Sequence, residues 1–134
     1  MIDPVDHVAI IQLYEDYNHT IDTGAAHAWS ATFTLDGVFY HPVRTWRGEE
    51  ELLAFFEQRE SSLRASANVE LKHWNSNIII EGDDKNATAT CELLVSGIRS
   101  QDAHSIVVAR GRYQDRLVRT DQGWRFLERR LCIS

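Results

Sequence analysis

The chain has 134 residues, 43% hydrophobic and 25% charged, with two prolines and seven glycines. That usage excludes disordered and collagen-like chains and predicts one domain over residues 1–134, able to fold without disulfides or a metal. Fourteen Lys and Arg stand against 20 Asp and Glu, a formal net charge of −6, which disfavours nucleic acid as a partner. No apolar run approaches the roughly 18 residues of a membrane span. The start, Met1-Ile2-Asp3-Pro4-Val5-Asp6-His7, has no secretion-signal pattern, so a cytoplasmic protein with no membrane partner is expected.

Asp3-Pro4 is a helix start, an N-cap acceptor followed by proline where its missing N–H costs nothing. Ile10, Ile11, Tyr14, Tyr17 and Ile21 then recur at helical spacing up to Thr23, and Gly24 ends the helix. A second helix is predicted over Ala25–Phe33, with Ala28, Trp29 and Phe33 on one side. Asp36-Gly37 reads as a turn and Val38-Phe39-Tyr40 as a strand of an early hairpin, broken by Pro42. A third helix runs from Gly48 to about Arg64, opening on Glu49, Glu50 and Glu51 and burying Leu52, Leu53, Phe55 and Phe56.

From there the period becomes two. Val69–Glu81, Asn86–Arg99, His104–Thr120 and Gly123–Ile133 are four long antiparallel strands separated by turn-forming residues. The layout is α+β, a strongly twisted sheet curling into a cone around three N-terminal helices. A cone has an interior, and such interiors take small molecules. Arg110, Arg112, Arg116, Arg119, Arg125, Arg129 and Arg130, interleaved with apolar residues, read as the solvated face of a sheet. Cys91 and Cys132 stand apart with no Cys-x-x-Cys, which predicts two free, buried thiols.

The residues able to carry chemistry are few. Asp22 lies near the end of the first helix, at the edge of its apolar arc, where the helix dipole opposes a carboxylate. Position alone leaves it either a solvated edge residue or a functional one. In Leu71-Lys72-His73-Trp74-Asn75-Ser76-Asn77, period two puts His73, Asn75, Asn77 and Ile79 on one face. That face is either a polar pocket wall or a partly exposed edge. His41, before Pro42, is a further candidate to line a pocket. No histidine shows metal-ligand spacing, and there is no phosphate loop and no nucleophile turn, so neither metal nor cofactor is expected. Tyr14 and Tyr17 are either core aromatics or phenols that stabilise an oxyanion. Trp29, Phe33, Trp46, Phe56 and Trp74 either fill the core or wall an apolar site, and Arg112 and Arg129 are candidates to reach an anionic group.

Ile11-Gln12-Leu13-Tyr14, Ile21-Asp22-Thr23-Gly24, Ala28-Trp29, Phe33-Thr34-Leu35-Asp36-Gly37-Val38-Phe39, Arg47-Gly48, His73 with Asn77, Gly111-Arg112-Tyr113-x-Asp115 and Gly123-Trp124-Arg125-Phe126 follow in an order that resembles the SnoaL-like family of the nuclear transport factor 2-like, cystatin-like α+β superfamily. The resemblance spans essentially the whole chain and is strongest to the branch containing scytalone dehydratase and hexachlorocyclohexane dehydrochlorinase. It implies a cofactor-free lyase or isomerase, in which His73, oriented by Asp22, removes a carbon-bound proton from a small, largely apolar or cyclic substrate. Tyr17 stands where the dehydrochlorinase has a lysine, and Ser96-Gly97-Ile98-Arg99 holds no second pocket histidine of the dehydratase type. The same resemblance implies a homodimer through an open sheet face carrying residues such as Leu93, Val95, Val107 and Leu117. Its alternative is a non-catalytic ligand-binding or dimerising module like the small subunits of ring-hydroxylating dioxygenases.

Overall fold

The computed structural model describes residues 1–66, 69–99 and 101–134. Helix α1 covers Pro4–Thr23. The Asp3 side chain accepts the Val5 N–H at 2.8 Å, and Gly24 closes the helix in the left-handed conformation at φ 78°. Its buried stripe is Ile10, Leu13, Tyr14, Tyr17 and Ile21. Asp6 is buried too, accepting from Trp124 Nε1 at 3.2 Å and from Arg119. That pairing ties the start of α1 to the sheet.

Helix α2 is only Ala26–Ser30, shorter than the periodicity suggests. The Thr32 hydroxyl donates to the Trp29 carbonyl at 2.7 Å, and the Thr32 carbonyl accepts the Phe126 N–H at 2.9 Å. The chain is therefore captured by the sheet before Phe33, where β1 (Phe33–Tyr40) begins. Asp36-Gly37 is not a turn but an irregularity inside β1, whose pairing slips between Phe33 and Val38. A Cβ on Gly37 would lie 2.9 Å from that of Phe33, so the slip needs glycine. Strand β2 (Thr45–Arg47) pairs antiparallel with β1, and α3 (Gly48–Ser66) follows.

Strands β3 (Val69–Gly82), β4 (Asn86–Arg99), β5 (Ser105–Thr120) and β6 (Gly123–Ile133) complete a six-stranded sheet in the order β2-β1-β6-β5-β4-β3. β1 and β6 run parallel and every other pair antiparallel, so the curved α+β sheet is mixed. Its inner face (Ala87, Ala89, Cys91, Leu93, Val95, Tyr113, Leu117, Trp124, Phe126 and Leu131) packs on the helices to form the core. Leu93, Val95 and Leu117 are thus inside. Of the residues expected on the open face, only Val107 is there, 65% exposed.

Three irregularities decide which residues face inward. The β3–β4 register slips between Ser76 and Ile79, with Asn77 at φ 53°. The added residue reverses the alternation, so Ile78 and Ile80 pack against the core while Asn77 and Ile79 face out. In β5, Val95 opposes Ala109 but Ser96 opposes Val107, which leaves Val108 as the extra residue. In β6, Arg116 opposes Glu128 and Leu117 opposes Phe126, so Leu127 is extra and Arg129 turns into the core. Arg129 is completely buried and not part of a solvated face. Both thiols are free; Cys91 is buried but Cys132 is exposed, because it pairs with Arg112 on the outer face. No helix among the described residues is long and apolar enough to cross a membrane.

Candidate active site

His73 projects from the inner face of β3 and Asp22 from the last turn of α1. The Asp22 Oδ1 lies 2.6 Å from His73 Nδ1, and the same carboxylate accepts the His73 backbone N–H, at 3.0 Å to Oδ2 and 3.2 Å to Oδ1. These bonds offset the opposition of the α1 dipole to a negative charge at its C-terminal end. With Nδ1–H donated to the carboxylate, Nε2 on the far side of the ring is the basic atom. The side chains are nearly withdrawn from solvent, His73 8% and Asp22 17% exposed. Beside them, Asn18 Nδ2 donates to Asn75 Oδ1 at 2.8 Å and Asn75 Nδ2 to the Glu92 carbonyl at 3.1 Å, so Asn75 serves as a brace between α1, β3 and β4.

His73 lines a cavity of about 440 Å³ inside the cone, together with Tyr17, Ile21, Phe39, His41, Trp46, Phe55, Arg59, Leu71, Leu93, Val95, Tyr113 and Leu131. This lies within the roughly 300–1,000 Å³ of pockets that bury small ligands, and the lining is mostly apolar. Val43, Val108 and Ile133, all exposed, stand at its rim. On the other side of His73 a wider, more polar groove runs between α1, α3 and β3, and Asp22 lines that groove only. The dyad therefore forms part of the wall between cavity and groove.

His41 reaches the cavity with its ring against Phe39 and Phe55. Burial lowers its pKa, and Nδ1 accepts the Val43 N–H at 3.2 Å. Its tautomer is therefore opposite to that of His73: Nε2 carries the proton and donates. Tyr17 and Tyr113 also line the cavity. Burial raises both phenol pKa values, partly countered for Tyr17 by Arg129, and the Tyr17 hydroxyl is buried without a well-formed hydrogen bond beside Tyr113 and Trp29. Both phenols are neutral donors across the physiological range.

The other expected site residues lie elsewhere. Tyr14 donates its hydroxyl to Asp115, which removes it as a donor to a ligand. Trp29, Phe33 and Phe56 are core aromatics, with Trp29 packed on Tyr17, Phe33, Phe39, Phe55 and Phe56. Asn77 is turned outward by the bulge in β3. Arg112 points outward at the level of Glu92, 3.6 Å away, because inward positions of β5 are the odd-numbered 111, 113, 115 and 117. Tyr113, Arg59 and Asp115 are prominent here and carry no signal of a site role in spacing or motif, while Arg129, a candidate to reach an anionic group, pairs with Asp115 instead. Only the inward direction of Tyr113 is legible, from its odd-numbered place in Gly111-Arg112-Tyr113.

Behind the two cavity tyrosines, Arg129 Nε lies 3.2 Å from Asp115 Oδ1, both side chains fully buried. The guanidinium carbon sits 3.4 Å from the Tyr113 ring centroid and 4.2 Å from that of Tyr17. Burial pushes the Asp115 carboxyl up to about 6 against the pull of Arg129. Burial opposes the Arg129 charge, but Asp115 and the tyrosines outweigh it and hold the guanidinium more firmly protonated than usual. Burial also pushes the Cys91 thiol up to about 11, so it stays protonated and inert. Among the described residues no group of three or more His, Cys, Asp or Glu side chains is placed to hold a metal.

Comparison with known proteins places the chain in a family. The profile of the SnoaL-like domain matches residues 5–130. No functionally curated protein sequence matches significantly. Among solved structures, an aspartate-to-asparagine variant of a protein of unknown function from Mycobacterium tuberculosis is 26% identical, with TM-score 0.85 over 98% of this chain and 78% of that one. A nuclear transport factor 2-like protein with a cystatin-like fold from Novosphingobium aromaticivorans is 23% identical, with TM-score 0.82 over 96% and 81%. A candidate scytalone dehydratase from the same organism is 22% identical, with TM-score 0.79 over 97% and 85%. With the profile spanning nearly its whole length and its fold shared by these structures, the chain belongs to the SnoaL-like domain family, on a cystatin-like, nuclear transport factor 2-like scaffold.

Proposed function

We propose that the protein is a cofactor-free lyase or isomerase of the dehydratase type, with His73 as general base and Asp22 as its orienting partner. The observation that carries this reading is the doubly bonded Asp22–His73 pair at the wall of a mostly apolar cavity. His73 Nε2 takes a proton from a carbon next to a carbonyl, and the C–H electron pair becomes part of an enolate. Tyr17 and Tyr113 donate to the enolate oxygen, and Asp22 stabilises the imidazolium. In elimination the leaving group on the neighbouring carbon departs with its bonding electrons, and the imidazolium proton goes to a departing hydroxyl. In isomerisation the proton returns to a different carbon.

The test is deuterium incorporation from D2O into an apolar cyclic ketone such as 2-tetralone, followed by NMR. Wild type is expected to accelerate exchange above the buffer rate and His73→Ala to lose at least about 100-fold of that acceleration. Equal exchange by both proteins removes His73 from the role, and a ligand that binds without exchanging leaves the binding-module reading. We propose further that two copies pair through the outer sheet face. Trp74, Leu94 and Val107 are exposed there beside mixed charges from Glu92, Arg110 and Arg112, a composition that supports self-pairing.

A further inference from the structure

The cavity is electrostatically unlike the rest of the molecule. The chain carries a net charge of −6, yet among the described residues no carboxylate lines the cavity and its one formally charged side chain is Arg59 of α3. Arg59 is only 16% exposed. One nitrogen, Nη1, donates to the Ile21 carbonyl at 3.4 Å and pairs with Glu60 Oε1 at 3.4 Å. Glu60 is the next residue on the same helix, a spacing at which side chains do not face each other, and it lines the outer groove and not the cavity. Nε and Nη2 make no hydrogen bond among the described residues. The ion pair with Glu60 is long and engages one nitrogen only, which leaves the other donors of this half-buried fork able to take a bidentate anion.

Its position is equally specific. Ile21, whose carbonyl it touches, is the residue before Asp22, and both Arg59 and His73 line the wall shared by cavity and groove. The guanidinium and the base therefore border one space, whose remaining walls include Phe39, Trp46 and Phe55. We infer that the cavity takes an organic anion: an aromatic or alicyclic carboxylate, its charge held by the Arg59 fork and its ring against those aromatic side chains. The anion preference stands on Arg59 alone. Only the further consequence, that this anchoring brings a carbon of the bound acid to His73, rests on the proposed reaction.

The probes are 1-naphthoate and its neutral counterpart 1-naphthamide, titrated by calorimetry into wild type, Arg59→Met and Arg59→Lys, each checked for native circular dichroism. Wild type is expected to bind the naphthoate at least about tenfold more tightly than the amide. Arg59→Met should reduce that preference to within about twofold by weakening the acid and not the amide, and Arg59→Lys should keep part of it. Equal binding of the two probes by wild type, a preference that survives in Arg59→Met, or no naphthoate binding at millimolar concentration overturns the inference. Catalysed exchange of 2-tetralone without an anion preference would overturn this inference and leave the base role of His73 intact. An anion preference without exchange would do the reverse.

Discussion

At Asp22, two demands conflict. A carboxylate at the C-terminal end of a helix faces the negative pole of the dipole, and here the bonds from His73 overcome that penalty. Asp22→Asn should keep the backbone N–H bond but cannot stabilise an imidazolium. Exchange activity is expected to fall about 100-fold or more, with the thermal midpoint within a few degrees of wild type. The Asp115–Arg129 pair behaves differently, since it is buried with no solvent to replace a missing partner. Arg129→Leu leaves the buried Asp115 carboxylate with only the Tyr14 hydroxyl and no counter-charge, and should cost about 3–5 kcal/mol in urea unfolding. The pH dependence has a definite sign. A carboxyl raised from 3.8 unfolded to about 6 folded binds its proton more tightly in the native state. Its stabilising contribution is present below pH 3.8 and is lost as pH rises through about 6. Stability measured from pH 4 to 7 should therefore fall more steeply in wild type than in Asp115→Asn, which has no proton to lose.

At the scale of elements, the bulges do the sorting. Strict alternation in β3 would align Asn77 and Ile79 with His73, but the residue at φ 53° inserts a step and delivers Ile78 and Ile80 to the core instead. Asparagine tolerates the left-handed region and a β-branched residue does not. Asn77→Val is expected to cost about 1–2 kcal/mol by removing this step, whereas Asn77→Gly should be neutral or nearly so. Both are measurable by chemical denaturation. The same logic in β6 places Arg129 inside, because Leu127 is the extra residue. An arginine read by period two as solvent-facing thereby becomes the buried cation beneath the cavity tyrosines.

For the whole molecule, the outer face bears on assembly. If Trp74, Leu94 and Val107 form a self-pairing surface, sedimentation at tens of micromolar should give about twice the 15.4 kDa chain mass, and Leu94→Arg with Val107→Asp should return it to one. A monomeric wild type would remove the proposed dimer. Much of the architecture was legible in the order of residues. The caps of α1 at Asp3 and Gly24, the full span of β4 and β6, and the helices-then-sheet α+β layout follow from local rules, because capping, turn chemistry and periodicity act over a few neighbours. The matched pair Asp22 and His73 was named from family resemblance, and no spacing rule links positions 51 residues apart. What only the tertiary structure decided was direction: Leu93, Val95 and Leu117 inward, Arg112 outward, Tyr14 committed to Asp115, and Arg59 at the cavity wall. A single added residue reverses every side chain beyond it, and whether one is added depends on pairing with a strand far along the chain.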